Sequence, residues 1–239
     1  MEVPETSLRR STRIRRFPKM YDDYVTLVAL TANDDEPLCY QEAVEGSNSD
    51  KWKEAMKDEM KALAKNATWD LVELPKDRKT VGCKWVYKLK RGVDDKEDRY
   101  KARLVVKGFS QKAGIDFHEI FSLVVKIVSI QIVLALVVLL DLELQQLDVK
   151  TTFLHGDLDE EIYMEQIEGF VQNHNKKFVC RLKKSLYGLK QSPRQWYKKF
   201  YSFMMSQNYI RSESDHCVYF KKLSNGMFII LVLYFDNMI

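Results

Sequence analysis

Two neighbouring stretches of the chain alternate apolar and polar residues with a period of two. In residues 80–90 the apolar face carries Val81, Cys83, Trp85, Tyr87 and Leu89, and in residues 100–109 it carries Ala102, Leu104 and Val106. The opposite face is basic and contains Lys84, Lys88, Lys90, Lys101, Arg103 and Lys107. A period of two is that of a β-strand. We predict a hairpin with an apolar underside and a basic top, either suited to gripping phosphates or simply solvated.

Other segments predict a mixture of helices and mostly antiparallel strands. A helix begins near Ser49-Asp50 and ends at Asn66, with Trp52, Met56, Met60 and Leu63 on one face. A second helix begins at Ser192, with Ser192 as N-cap and Pro193 as first residue, and Trp196, Phe200, Phe203, Met204 and Gln207 line one side. Short strands are predicted at residues 69–75, 145–149, 162–165 and 178–182. A last hairpin, residues 217–222 and 227–235, turns at Asn225-Gly226. The class is α+β.

The most apolar run, residues 127–140, is 14 residues long. That is too short to span a bilayer, so we predict a buried helix. No signal peptide is visible, and the four cysteines have no metal-like spacing, which indicates reduced thiols in an intracellular protein.

Residues 1–48 are predicted to be an irregular tail and linker. Residues 8–18 form a basic arm, for which an unstructured spacer and a nuclear-import or nucleic-acid-binding arm are both possible. Further along, basic residues 76–112 and 176–200 flank acidic residues 141–168. This order suits a polyanion held over a metal site, although ordinary surface charge has the same composition.

Two aspartates each follow an apolar strand. Asp148 ends the strand near residue 147, and Asp236 lies at the tip of the last hairpin. Two carboxylates from separate strands can share magnesium ions and hold a triphosphate for in-line nucleotidyl transfer. Either residue alone is equally typical of a cap or a turn.

Several long motifs resemble the reverse transcriptase of copia-type retrotransposons. The first palm motif is similar to Gln146-Leu-Asp-Val-Lys-Thr-Thr-Phe-Leu-His-Gly-Asp-Leu158, and the second to Ser185-Leu-Tyr-Gly-Leu-Lys-Gln-Ser-Pro-Arg-Gln-Trp196. The fingers strands resemble Val81-Gly-Cys-Lys-Trp-Val-Tyr-Lys88 and Lys101-Ala-Arg-Leu-Val-Val-Lys-Gly-Phe-Ser-Gln111. The catalytic hairpin box resembles Tyr234-Phe-Asp-Asn-Met-Ile239. The resemblance runs in order from about Trp52 to the last residue.

The resemblance implies a right-hand polymerase in residues 49–239, with fingers over about 69–125 and a ferredoxin-like palm over about 126–239. Asp148 and Asp236 would bind two Mg²⁺ or Mn²⁺ ions, and the carbonyl of Val149 would contact one of them. Phe153 would exclude a 2′-hydroxyl, with core packing as the alternative. Gly188 and Gln191 would lie under the nucleotide pair, and Lys84, Lys101 and Arg103 are the triphosphate candidates. The predicted nucleic-acid contacts are Lys88, Lys90, Lys107, Lys190 and Arg194.

The sequence departs from the family pattern at four places. Asn237 replaces the second aspartate of the box, which removes a negative charge, and we expect activity to fall by orders of magnitude. Leu123 replaces a proline, and Thr152 replaces an alanine. We also expect the strand behind the box, the thumb and RNase H to be absent, which would leave the strand before the box unpaired.

We therefore expect an RNA-directed DNA polymerase by descent, with little or no activity. The implied partners are an RNA template with a DNA primer, dNTPs, and the rest of a Gag-Pol polyprotein with integrase and RNase H, but no membrane. The implied location is a cytoplasmic virus-like particle or the nucleus. Two alternatives stay open: a non-catalytic nucleic-acid-binding remnant, and a pseudogene product without function.

Overall fold

The fold was analysed in a computed structural model, which describes residues 36–92, 97–171, 178–224 and 226–234 and the backbone of residues 237 and 238. All elements belong to the unit Pro37–Ile239. The helices are α1 Tyr40–Glu45, α2 Ser49–Lys65, α3 Ile127–Leu139 and α4 Ser192–Ser206. The strands are β1 Trp69–Glu73, β2 Thr80–Val81, β3 Cys83–Lys90, β4 Arg99–Val106, β5 Leu147–Asp148, β6 Asp157–Met164, β7 Phe178–Lys184, β8 Ile210–Arg211, β9 Val218–Lys222, β10 Phe228–Tyr234 and β11 Asn237–Met238. The mixed α+β class is confirmed.

Strands β3 and β4 form the predicted two-stranded antiparallel ribbon, with Lys88 opposite Lys101 and Val86 opposite Arg103. Trp85, Tyr87 and Leu89 are buried on one strand, and Ala102, Leu104 and Val106 on the other. The cations lie on the opposite face, as the alternation predicts. Residues 93–96 of the predicted turn lie outside the described residues.

Helix α2 packs beneath this ribbon through Trp52, Met56 and Leu63, which are all buried. The Trp52 ring meets the rings of Tyr87 and Tyr100 edge-on, at centroid distances of 5.3 and 4.7 Å. Ser49 is the first helical residue rather than the cap, because Asn48 occupies the cap position and makes no side-chain capping bond. The short helix α1, with Ala43 fully buried, lies in a stretch for which no regular structure was predicted.

A four-stranded sheet has the order β1-β7-β6-β2. Its pairs are antiparallel except for β2 with β6, which is parallel. Residues 80–90 were predicted as one continuous strand, which is wrong. The run is divided at Gly82, because Val81 pairs with Met164 of this sheet, whereas Cys83 pairs with Val106 of the ribbon.

A five-stranded antiparallel sheet has the order β5-β11-β10-β9-β8. Strand β10 pairs with β9 on one side and with β11 on the other, and β11 in turn pairs with β5. The prediction that the strand before the box is unpaired is therefore wrong. The partner of β10 on that side is β11, a two-residue strand formed by Asn237 and Met238 of the box itself.

Helix α4 covers this sheet with Trp196, Phe200 and Met204, which share a core with Tyr219 and Val232. Phe203 was predicted on the same side but is 59% exposed, and Gln207 is exposed beyond the end of the helix. Ser192 is not the N-cap, because Gln191 precedes the helix. The Ser192 hydroxyl instead donates to the Leu186 carbonyl at 2.6 Å.

Helix α3 was predicted to be buried, and this prediction is wrong. Of its residues only Val133 is buried, whereas Val138 and Leu139 are 81% and 78% exposed. A helix that is apolar all round has no polar face to mark its solvent side, so its sequence alone reads as buried. No helix among the described residues has the length and apolar character needed to cross a membrane.

The four cysteines all lie in the described part of the chain, and all are free thiols. This confirms that Cys39, Cys83, Cys180 and Cys217 form no disulfide framework. Burial raises the pKa of the Cys83 and Cys217 thiols to about 11, with smaller contributions from neighbouring acids. These thiols are therefore poor nucleophiles at neutral pH.

Candidate active site

An open cleft of about 320 Å³ lies between helix α2, strand β4 and the segment that follows β5. Lys101, Arg103, Asp148 and Val149 are four of its lining residues. They come from two motifs that are about 45 positions apart in the chain. The fold thus brings the predicted metal-binding aspartate to the same cleft as two of the predicted triphosphate-binding cations.

Asp148 ends the edge strand β5 and is exposed. Its partner in the β5–β11 pair is Asn237, and Leu147 pairs with Met238. The first palm motif and the hairpin box are therefore neighbours in one sheet. Asp236 lies outside the described residues, and its role stays a prediction.

The cations of β4 crowd one side of the cleft. The pKa of Lys101 lies below its usual value, because partial burial and the positive charges of Lys90, Arg99 and Arg103 disfavour the ammonium form. Asp148 acts in the opposite direction on the same group. A bound anion on this side of the cleft would relieve the repulsion among the cations.

Tyr187 connects the cationic side of the cleft to Phe153. The Arg103 guanidinium lies 5.3 Å from the centre of the Tyr187 ring, and the Phe153 ring meets Tyr187 edge-on at 5.0 Å. Phe153 is half-buried and also packs against the core beneath α4. These contacts agree with the packing alternative for Phe153, and its role against a 2′-hydroxyl stays a prediction.

Gly188 makes a close approach, but to protein backbone. Its φ is +92°, and a Cβ at this position would lie 2.1 Å from the Val106 carbonyl oxygen. The Val106 N–H donates to the Tyr187 carbonyl at 2.7 Å. Only glycine fits this junction, which fastens the second palm motif to the end of the ribbon.

Gln191 is fully buried, and its amide binds protein groups. Its oxygen accepts a bond from Gln111 Nε2 at 3.1 Å, and its nitrogen donates to the Asp116 carbonyl at 2.8 Å. Neither Gly188 nor Gln191 lines the cleft. Their contacts with a nucleotide pair stay predictions.

The remaining predicted cations fall into two groups. Lys84, Lys88, Lys90 and Lys107 are exposed along the ribbon but do not line the cleft. Lys190 and Arg194 are engaged within the protein. The Lys190 ammonium lies 4.7 Å over the Phe117 ring, and Arg194 forms an ion pair with Glu119 and donates to the Phe121 carbonyl.

The carbonyl of Val149, a predicted metal contact, accepts a hydrogen bond from the Thr152 hydroxyl at 2.7 Å. Thr152 is one of the departures from the family pattern, so the departure directly affects a predicted ligand. Within the described part of the chain, no group of three or more His, Cys, Asp or Glu side chains is arranged to hold a metal ion. Asp148 and Val149 nevertheless offer oxygen donors, the type that Mg²⁺ and Mn²⁺ prefer.

Several lining residues were not predicted from the sequence, and Glu59 and Tyr187 are two of them. Glu59 lies at helical spacing from Met56 and Leu63, on the side of α2 that meets the ribbon. The helical pattern predicts that this side is covered but does not show that an acid there lines a cleft. Tyr187 lies within the second palm motif, directly before Gly188. Its place in that motif is the one sequence feature that could have indicated it.

Comparison with known proteins shows the family of the chain. Residues 66–239 match the family described as reverse transcriptase (RNA-dependent DNA polymerase). The chain is 56% identical over 97% of its length to a retrovirus-related Pol polyprotein from transposon TNT 1-94 of Nicotiana tabacum, and 38% identical over 100% to that of transposon RE2 of Arabidopsis thaliana. It is 31% identical over 75% to a transposon Ty1-DR4 Gag-Pol polyprotein of Saccharomyces cerevisiae.

These matches cover 17%, 16% and 11% of the three relatives, so the chain corresponds to a small part of each polyprotein. The matched part contains both palm motifs, the ribbon and the hairpin box. The chain belongs to the reverse transcriptase family of Ty1/copia-type transposon Pol polyproteins.

Proposed function

We propose that this chain is the fingers and palm of an RNA-directed DNA polymerase, with two-metal nucleotidyl transfer strongly weakened by Asn237. The observation that carries this proposal is the pairing of Asp148 with Asn237 beside the cationic cleft. In this assignment residues 69–125 form the fingers and residues 126–239 the palm. The substrates are dNTPs and an RNA template with a DNA primer.

The cleft supports a division of roles. Lys101 and Arg103 face the triphosphate, whereas the exposed ribbon lysines lie further out and contact nucleic-acid phosphates. Phosphate contacts of this kind position a duplex without reading its sequence. Binding of a primer–template duplex should therefore weaken steeply as the salt concentration rises.

Reverse transcriptases use divalent metal ions, and we propose Mg²⁺ or Mn²⁺ here. Asp148, Asp236 and the Val149 carbonyl would hold them. When bound, the metals supply charge neutralisation to the attacking and leaving oxygens of the displacement. An amide at residue 237 contributes no charge, so the site lacks one of the anions that would hold the metals and offset the developing charge.

The similar proteins are named as Pol and Gag-Pol polyproteins. We propose that the chain works beside integrase and RNase H of such a polyprotein. Its expected location is a cytoplasmic virus-like particle or the nucleus.

Primer extension on poly(rA)/oligo(dT) with Mg²⁺ or Mn²⁺ tests the proposed function. The full chain should extend the primer weakly, and Asp148→Ala should abolish extension. Salt-sensitive duplex binding without extension would instead favour a non-catalytic nucleic-acid-binding remnant, a candidate supported by Asn237 together with the intact basic ribbon. Failure of both extension and binding would contradict the proposal.

A further inference from the structure

Helix α2 forms one wall of the cleft, although it lies before residues 66–239, which match the family. Ala55, Asp58 and Glu59 of this helix line the cleft opposite Asp148 and its neighbours. The family match begins at residue 66 and therefore assigns no role to these side chains, although the relatives are similar over α2 as well. Of the three, Glu59 has a specific bond to the ribbon.

This bond lies on the outer edge of β4. Among the described strands β4 pairs with β3 alone, so the N–H groups of its other edge need partners elsewhere. The Val106 N–H donates to the Tyr187 carbonyl, and the Leu104 N–H donates to Glu59 Oε1 at 3.3 Å. Glu59 thus holds the edge of the strand that carries Lys101 and Arg103.

Glu59 is partly buried, and this burial disfavours the charged form of its carboxylate. Burial raises the pKa of Glu59 above its usual value, while the Leu104 N–H and the Arg103 charge act to lower it. A burial penalty of this kind is compensated only by the bonds that the carboxylate makes. The interactions that favour the carboxylate are the hydrogen bond from the Leu104 N–H and the positive charge of Arg103, the adjacent residue of β4.

We propose that Glu59 is a positioning residue for the triphosphate of the incoming nucleotide. By binding the Leu104 N–H it fixes the β4 edge, so that Lys101 and Arg103 face Asp148 across the cleft. This inference rests on the proposed function of the cleft as a triphosphate site. It adds helix α2 to the part of the chain that the site requires.

The position of α2 does not depend on Glu59. Trp52 packs edge-on against Tyr100 and Tyr87, and the Tyr87 hydroxyl donates to Met56 Sδ at 3.3 Å. Replacing Glu59 should therefore release the β4 edge while the helix and the ribbon core stay folded.

Two measurements on the full chain test the inference. Amide hydrogen exchange at Leu104 should be about tenfold faster in Glu59→Ala, because the N–H loses its acceptor, and near wild type in Glu59→Gln, which keeps one. The affinity for inorganic tripolyphosphate, measured by calorimetry without divalent metal, should fall about tenfold in Glu59→Ala and be restored to within about threefold by Glu59→Gln. Glu54→Ala, on the same helix but away from the cleft lining, should match wild type in both.

Exchange at Leu104 that is unchanged in Glu59→Ala would overturn the inference, as would a Glu59→Gln variant as weak as Glu59→Ala. If wild-type protein binds tripolyphosphate and Glu59→Ala binds it equally well, this inference alone fails. If wild-type protein does not bind tripolyphosphate, the proposed function of the cleft fails, and the role of Glu59 fails with it.

Discussion

Asp148 lies directly opposite Asn237 in the antiparallel pairing of β5 with β11. Residue 237, where the family pattern has its second box aspartate, is therefore a strand neighbour of Asp148, which we propose to be a metal ligand. A charge lost at residue 237 is lost beside Asp148, where it matters most. The first palm motif and the hairpin box are therefore paired in one sheet, although Asn237 supplies no carboxylate.

Replacing Gly188 tests the junction between the ribbon and the second palm motif. Gly188→Ala introduces a Cβ 2.1 Å from the Val106 carbonyl oxygen at a φ of +92°. We expect a loss of about 3 kcal/mol or more in the free energy of unfolding, measured by urea denaturation. Gly114 is the matched control, because its φ is +79° and nothing lies within 4 Å, so Gly114→Ala should cost only about 1 kcal/mol. Equal losses in the two variants would contradict the junction.

Asp215 is a buried carboxylate that holds the start of α3. It accepts bonds from the Ser129 hydroxyl at 2.6 Å, the Lys126 N–H at 2.9 Å and the Cys217 N–H at 3.0 Å. Burial opposes its charged form, but these bonds outweigh burial and the pKa of Asp215 lies below its usual value. Asp215→Asn should therefore reduce the free energy of unfolding by about 2 kcal/mol at neutral pH.

The sign of the pH dependence follows from the lowered pKa. Because the folded-state pKa is below the unfolded value of about 4, the stabilisation is complete above that pH and is lost as the pH falls through the folded-state value. Urea denaturation of wild type and Asp215→Asn should give curves that converge below about pH 4. A stability difference that is constant in acid would show that the charge of Asp215 contributes nothing.

Thr152 should weaken metal binding through the Val149 carbonyl, which accepts a hydrogen bond from the Thr152 hydroxyl with an oxygen–oxygen distance of 2.7 Å. Removing the donor in Thr152→Val frees that oxygen with little change in side-chain volume. We expect Mn²⁺ to bind about threefold more tightly, measured by electron paramagnetic resonance of the free ion. Thr152→Ser keeps the hydroxyl and should bind Mn²⁺ as wild type does. If Ser and Val variants bind equally, the hydrogen bond is irrelevant to the metal.

The exposure of α3 gives a prediction opposite to the one drawn from its sequence. Val138→Glu places a charge at a position that is 81% exposed, so the free energy of unfolding should change by less than about 0.5 kcal/mol. Val133→Glu, at the buried position of the same helix, should cost more than about 3 kcal/mol. Thermal or urea denaturation of the two variants measures both changes in the free energy of unfolding. A large loss in Val138→Glu would mean that this face is covered.

The ribbon and α2 were predictable because their patterns report burial directly. The alternation through Trp85 and Tyr87, and the helical spacing of Trp52, Met56 and Leu63, each separate a buried side from a polar side. Helix α3 is apolar on all sides, so its sequence does not distinguish its exposed faces from its buried one. The break at Gly82 was equally hidden, since it depends on which of two sheets each neighbouring residue joins.

The candidate site likewise has residues that the sequence predicted and residues that it did not. Asp148, Lys101 and Arg103 belong to contiguous motifs and were predicted to act together, and the fold brings them to one cleft. Glu59 was missed because its partner Leu104 is 45 positions away. Outside the site, Asp215 was missed for the same reason, because Lys126 is 89 positions away. Pairings at such separations are set by the folded chain and not by any local pattern.

We propose that the charge missing at residue 237 is the main defect of a metal site built around Asp148. Primer extension by Asn237→Asp on poly(rA)/oligo(dT) with Mg²⁺ tests this most directly, with Asp148→Ala and the double variant as controls. Restoring the carboxylate should raise the extension rate by at least about a hundredfold over wild type, and the double variant should be inactive. An extension rate of Asn237→Asp that is no higher than that of the wild-type chain would contradict this proposal.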